Sequence, residues 1–105
     1  MSNQPSERVQ GLRSKAKAER ELISNLNASL NDVYLKQQLT NASNLLDDVE
    51  RFFLDEHILQ EPRSTAEWSY WLSGADRALQ HAVQFREYVE GIIRQFGPDV
   101  RSFPS

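Results

Sequence analysis

The chain has 105 residues, 39% apolar and 26% charged, a formal net charge of −3 and no cysteine. A chain of this length suits one domain with one core. The missing cysteines exclude disulfides, cysteine-type zinc sites and thiol nucleophiles, favouring a cytoplasmic over a small secreted protein, and no apolar run approaches the ~20 residues of a membrane span, so no membrane association is expected.

Apolar residues in the first third recur at heptad spacing as Val9, Leu12, Ala16, Ile23, Leu26, Leu30 and Val33, with Glu19 at a seam position. This predicts an amphipathic helix over about residues 5–28 with a weak centre. The polar stretch "SNLNASLND" then interrupts the pattern and the apolar phase changes. Leu35, Leu39, Ala42, Leu46, Val49 and Phe53 form a new seam. A second helix is predicted over about 32–58, with Ser29 or Asn31 as its N-cap.

Pro62 ends that helix. Ser64 and Glu67 have the S-x-x-E spacing of a capping box and open a third helix over about 65–96. Its seam is predicted as Trp68, Trp71, Ala75, Ala78, Ala82, Phe85, Val89, Ile92 and Phe96, and Gly97 followed by Pro98 is a stop signal that leaves 97–105 as a tail. No β-type alternation occurs, so the expected fold is all-α, one domain over 1–105.

Short connections favour antiparallel neighbours, which makes the expected architecture an up-down-up three-helix bundle with a long C-terminal helix. Folding the chain about Pro62 brings Trp71 near Phe53 and Val89 near Leu35. Folding about residue 30 sets Arg8, Arg13, Lys15 and Arg20 beside the acidic second half of the next helix, where interhelical pairs are expected. Such exposed pairs contribute about 0.2–1 kcal/mol each, so their role is register more than stability.

The stretch "EWSYWLSG", Glu67 to Gly74, holds both tryptophans. Trp68 and Trp71 are predicted to share the seam face and, with Phe52 and Phe53, to plug the bundle end at Pro62. The alternative is an exposed aromatic anchor that includes Tyr70. Leu72, Leu79 and Ile93 widen the apolar stripe beyond what one partner helix covers, so a second copy or a target helix is expected to complete the bundle. The candidate partner-binding residues are therefore Trp68, Tyr70, Trp71, Leu72, Leu79 and Ile93.

His57 and His81 lack the Glu-x-x-His or His-x-x-x-His spacing of bundle metal sites, and neither a metal nor another cofactor is expected. "RFFLDEH", Arg51 to His57, resembles the R-x4-6-H motif of HEPN-type ribonucleases, small helical and usually dimeric domains. That resemblance implies that Arg51 positions phosphate and His57 takes part in acid–base chemistry on RNA, although Phe52 stands where that family tends to have a polar residue. A basic helix 1 with Arg13, Lys17 and Arg20 offers a nucleic-acid reading, which its lack of interleaved aromatics and the acidic balance of the chain disfavour. The expected function is a non-enzymatic protein–protein interaction module, an adaptor or regulatory bundle that self-associates. The HEPN-like and nucleic-acid readings are the alternatives.

Overall fold

Residues 6–97 are described in the computed structural model, and their regular structure is entirely helical. The helices are α1 (Ser6–Ser29), α2 (Val33–Asp48), α3 (Glu56–Leu59) and α4 (Thr65–Phe96), and a π-helical turn, Val49–Phe53, follows α2 directly. Position 5 and the tail beyond Gly97 lie outside the described residues.

The break after α1 is made by side chains. Leu30 is buried, and the Asp32 carboxylate accepts the backbone N–H of Leu35 at 2.9 Å. The N-cap is thus Asp32, not Ser29 or Asn31. An ionised carboxylate accepts this hydrogen bond and also meets the positive end of the helix dipole.

The helix expected over 32–58 is in fact three pieces. Leu54 N–H reaches back five residues to the Val49 carbonyl at 3.0 Å, the wider turn that gives a π-helix. The chain then restarts because Asp55 adopts an extended conformation and its carboxylate accepts from the N–H groups of His57 and Ile58. The freed Leu54 carbonyl does not stay orphaned, for Arg13 of α1 donates to it at 3.1 Å. An Asp that caps the helix following it overrides an apolar pattern that continues across the break.

α4 begins and ends where its punctuation directs. Ser64 Oγ accepts from Glu67 N–H and Glu67 Oε1 accepts from Ser64 N–H, a complete capping box. Those bonds favour the carboxylate, so the Glu67 pKa lies below its ordinary value. At the other end Gly97 has φ of 87°, a left-handed conformation for which glycine has no steric penalty.

The buried edge of α4 differs from the predicted one at alternate positions. Trp68, Leu72, Ala75, Leu79, Ala82 and Val89 are buried, while Trp71, Ala78, Phe85 and Ile92 are only half-buried and Phe96 is exposed. The interior line takes 72 and 79 instead of 71 and 78, whereas Phe85 and Arg86, like Ile92 and Ile93, are all half-buried. Leu72 and Leu79 are therefore not surplus apolar surface, because the chain's own α1 and α2 cover them.

Side-chain pairs fix how the elements lie. Between the α2 segment and α4, Phe53 meets Trp71 and Tyr34 meets Tyr88, so residue numbers rise on one helix as they fall on the other. Between α1 and α4, Arg8 pairs with Asp76 and Glu19 with Arg86, in the same order. Arg20 of α1 pairs with Asp47 and Glu50.

Gly74 allows one close approach, since a Cβ there would stand 2.8 Å from the Phe53 ring, whereas a Cβ at Gly91 would meet nothing within 4 Å. Both glycines cost helix stability of about 1 kcal/mol relative to alanine. Gly91→Ala is expected to raise unfolding free energy by about 1 kcal/mol in denaturant titration. Gly74→Ala is expected to gain less or to lose stability, because the Phe53 ring must move. Equal gains at the two sites would contradict the Phe53 contact.

Candidate interaction surface

The two tryptophans form a clamp around a cation. Trp68 is buried and Trp71 half-buried, and the Arg63 guanidinium lies 4.8 Å from the Trp68 ring and 4.9 Å from that of Trp71. Arg63 donates to the Ile58 carbonyl at 2.8 Å and pairs with Glu61. Trp71 Nε1 donates to the Phe53 carbonyl at 3.0 Å, with the two rings 5.1 Å apart and tilted. Each polar atom buried with the rings finds a partner, and the cation gains from both π faces. Phe52 takes no part in this plug and is 53% exposed.

Of the candidate partner-binding residues, Trp68, Leu72 and Leu79 are therefore interior residues, Trp71 and Ile93 are half-buried against the core, and only Tyr70, 85% exposed, stands clear of it. These residues do not form one surface. They were selected from a broad apolar stripe whose middle the chain itself buries.

Another face fits the role better. Where α1 packs, the α4 positions Asp76, Gln80 and Val83 line a groove with Lys15 and Glu19, and the α2 positions Thr40 and Ser43 line one with Ile23 and Ser24. On the opposite side α2 and α4 border a shallow, open groove lined by Tyr34, Gln38, His81, Gln84, Phe85 and Tyr88. No α1 residue lines it. The Tyr34 and Tyr88 hydroxyls lie 3.3 Å apart across its mouth, and this hydrogen bond holds the Tyr88 pKa above the ordinary tyrosine value.

Heptad spacing continues this side of α4 through Trp71, Ala78, Phe85 and Ile92, all half-buried against the core. These are the residues that periodicity assigned to the seam centre. A usable signal was present in the charges. On α4 the α1 side carries Asp76, Arg86 and Glu90, whereas the positions that line the other groove, His81, Gln84, Phe85 and Tyr88, carry no acid, lysine or arginine, and Arg77 stands one turn before them.

Glu19 is 6% exposed, and it is held by Arg86, whose Nε donates to Glu19 Oε2 while its other nitrogen reaches Glu90 one turn on. The charge that interrupts the α1 seam and the charge on the α4 seam are partners. Hydrogen bonding to Glu19 outweighs burial and raises the Arg86 pKa. Burying one charge without the other is what such a site penalises.

Arg51 lies in the π turn and His57 in α3, both exposed, and neither lines a cleft described here. Among the described residues their side chains share no hydrogen bond. The basic residues of α1 are largely engaged. Arg8 and Arg20 pair with acids and Arg13 binds the Leu54 carbonyl, while Lys17 is exposed. Among the described residues no cluster of three or more His, Asp or Glu side chains is arranged to hold a metal, and no helix is long and apolar enough to cross a membrane. No protein-family model, curated protein or solved structure matches the chain.

Arg86→Met, which leaves Glu19 buried and unpaired, is expected to cost ~3 kcal/mol in denaturant titration. The double variant Glu19→Leu/Arg86→Met is expected to recover most or all of that loss, since paired buried charges are replaceable by apolar groups. Additive losses in the two single variants and the double would show that the charges do not depend on one another.

Proposed function

We propose that α1, α2 and α4 form an up-down-up three-helix bundle that serves as a non-enzymatic protein interaction module, and that partners dock on the α2–α4 face opposite α1. The opposed order of the α2–α4 pairs and the matched order of the α1–α4 pairs support this architecture. A cysteine-free sequence supports a cytoplasmic setting.

The observation that carries the functional reading is the exposure of Tyr34 (51%) and Tyr88 (46%) beside half-buried Phe85 in a groove whose lining holds no carboxylate, lysine or arginine. Aromatic enrichment and charge depletion mark the centre of protein interfaces, and tyrosine is favoured at hot spots because it combines a large apolar area with a hydrogen-bonding tip. Loss of such a ring on truncation commonly costs ~2 kcal/mol of binding.

The test compares capture from an extract of the native cell by wild-type protein and by Tyr34→Glu/Tyr88→Glu. Both side chains are about half exposed, so folding should survive, as read by helical circular dichroism. The proteins retained by wild type are expected to be lost with the variant. An unchanged set of retained proteins with the variant would contradict the proposed face.

A further inference from the structure

We infer that α1 is a releasable strap: it detaches as a unit from an α2–α4 hairpin that stays folded, giving the protein an open state in equilibrium with the closed bundle. This release concerns the side opposite the aromatic groove and does not depend on what docks there.

The helices are joined by two kinds of force. Among the described residues, every salt bridge that joins α2, the π turn or α4 to another helix has its partner on α1: Arg8 with Asp76, Glu19 with Arg86, and Arg20 with Asp47 and Glu50. α1 also holds the Leu54 carbonyl through Arg13. Among the same residues, α2 and its π turn meet α4 without a salt bridge, through apolar side chains, the Tyr34–Tyr88 hydroxyl pair and the bond from Trp71 Nε1 to the Phe53 carbonyl.

The ionic joints are the weaker ones. Arg8–Asp76 and the Arg20 pairs are open to water, which screens them. The Glu19 and Arg86 charges return to water on release, so hydration offsets most of the attraction they lose. The apolar share of α1 is small as well. It supplies Val9, Leu12 and Ile23 to the large buried side chains, with Ala16 and Glu19 between the last two, while α2 and α4 supply more than twice that number, including Leu35, Leu39 and Leu46 from one and Leu72, Leu79 and Val89 from the other. Gly11 lowers the helix propensity of α1 itself. Once free, a helix held mainly by packing melts and gains conformational entropy. The open state bares Leu39 and Leu79, which line the grooves where α1 packs.

Native-state hydrogen exchange of the full chain tests this. The amides of α1 are expected to share one opening constant, at least about tenfold above that of the interior amides of α4. Trp71→Phe removes the bond to the Phe53 carbonyl, which the open state keeps. It is expected to raise the opening constant of α4 about fivefold and to leave that of α1 unchanged. Arg20→Gln removes contacts that both openings lose, so it is expected to raise both constants by the same factor, roughly threefold. Sodium chloride at ~1 M is expected to act in the same sense.

A single opening constant shared by α1 and α4, or a Trp71→Phe variant that speeds α1 exchange as much as that of α4, would show that the bundle opens only as a whole and would overturn the inference. So would an α1 whose exchange is indifferent to both Arg20→Gln and salt.

Discussion

The Glu19–Arg86 ion pair is the contact on which the rest of the arrangement depends, since it joins the two charged interruptions in otherwise apolar seams. Its net contribution to stability is small, because removing two ions from water costs about as much as their attraction returns. Its contribution to alignment is large. Sliding α1 by one turn along α4 would keep most apolar contacts but leave two charges buried apart, and a single uncompensated charge of this kind costs several kcal/mol. The exposed pair Arg8–Asp76 agrees with the same alignment of α1 on α4, and Arg20–Glu50 ties α1 to the π turn after α2, with smaller energies.

That alignment has a consequence on the far side of the α2–α4 pair. With α1 held in one groove, the other groove keeps Tyr34, Phe85 and Tyr88 at its surface, and the polar residues between them are Gln38, His81 and Gln84. The two sides of the same helix pair thus differ in kind. One is filled from within the chain and edged with salt bridges, and the other holds a half-buried aromatic groove whose lining has no carboxylate, lysine or arginine. The interaction reading grows out of this asymmetry.

Much of this was legible in the sequence, and the errors have definite causes. Helical periodicity, the Ser64–Glu67 capping box and the Gly97 stop located α1 and α4 to within a residue, whereas the second helix ends ten residues before its expected end. The proximity of Phe53 and Trp71 followed from counting back from the turn. The seam phase of α4 did not follow, because the sequence offers an apolar residue at both members of 71/72, 78/79 and 92/93, and period alone cannot choose between them. At 85/86 both members are half-buried, and Arg86 places a charge where an apolar residue was sought. Glu19 looked like a flaw in α1 for the same reason, since the partner of a buried charge is visible only when both helices are in place. The break at Leu54 and Asp55 was missed because a hydrophobic pattern continues across it, and only the capping preference of Asp55 marked it. With the seam, Leu72 and Leu79 moved inward and Ala78 and Phe85 outward.

The most direct measurement is nuclear Overhauser spectroscopy on monomeric protein, read at the rings of Tyr34, Phe85 and Tyr88. The account predicts cross-peaks among these rings and none to the methyl groups of Ile23, which instead report contact with Leu39 across the opposite groove. Cross-peaks from Ile23 or other α1 methyl groups to the three rings would mean that α1 covers the face taken here to be open, and would contradict the account.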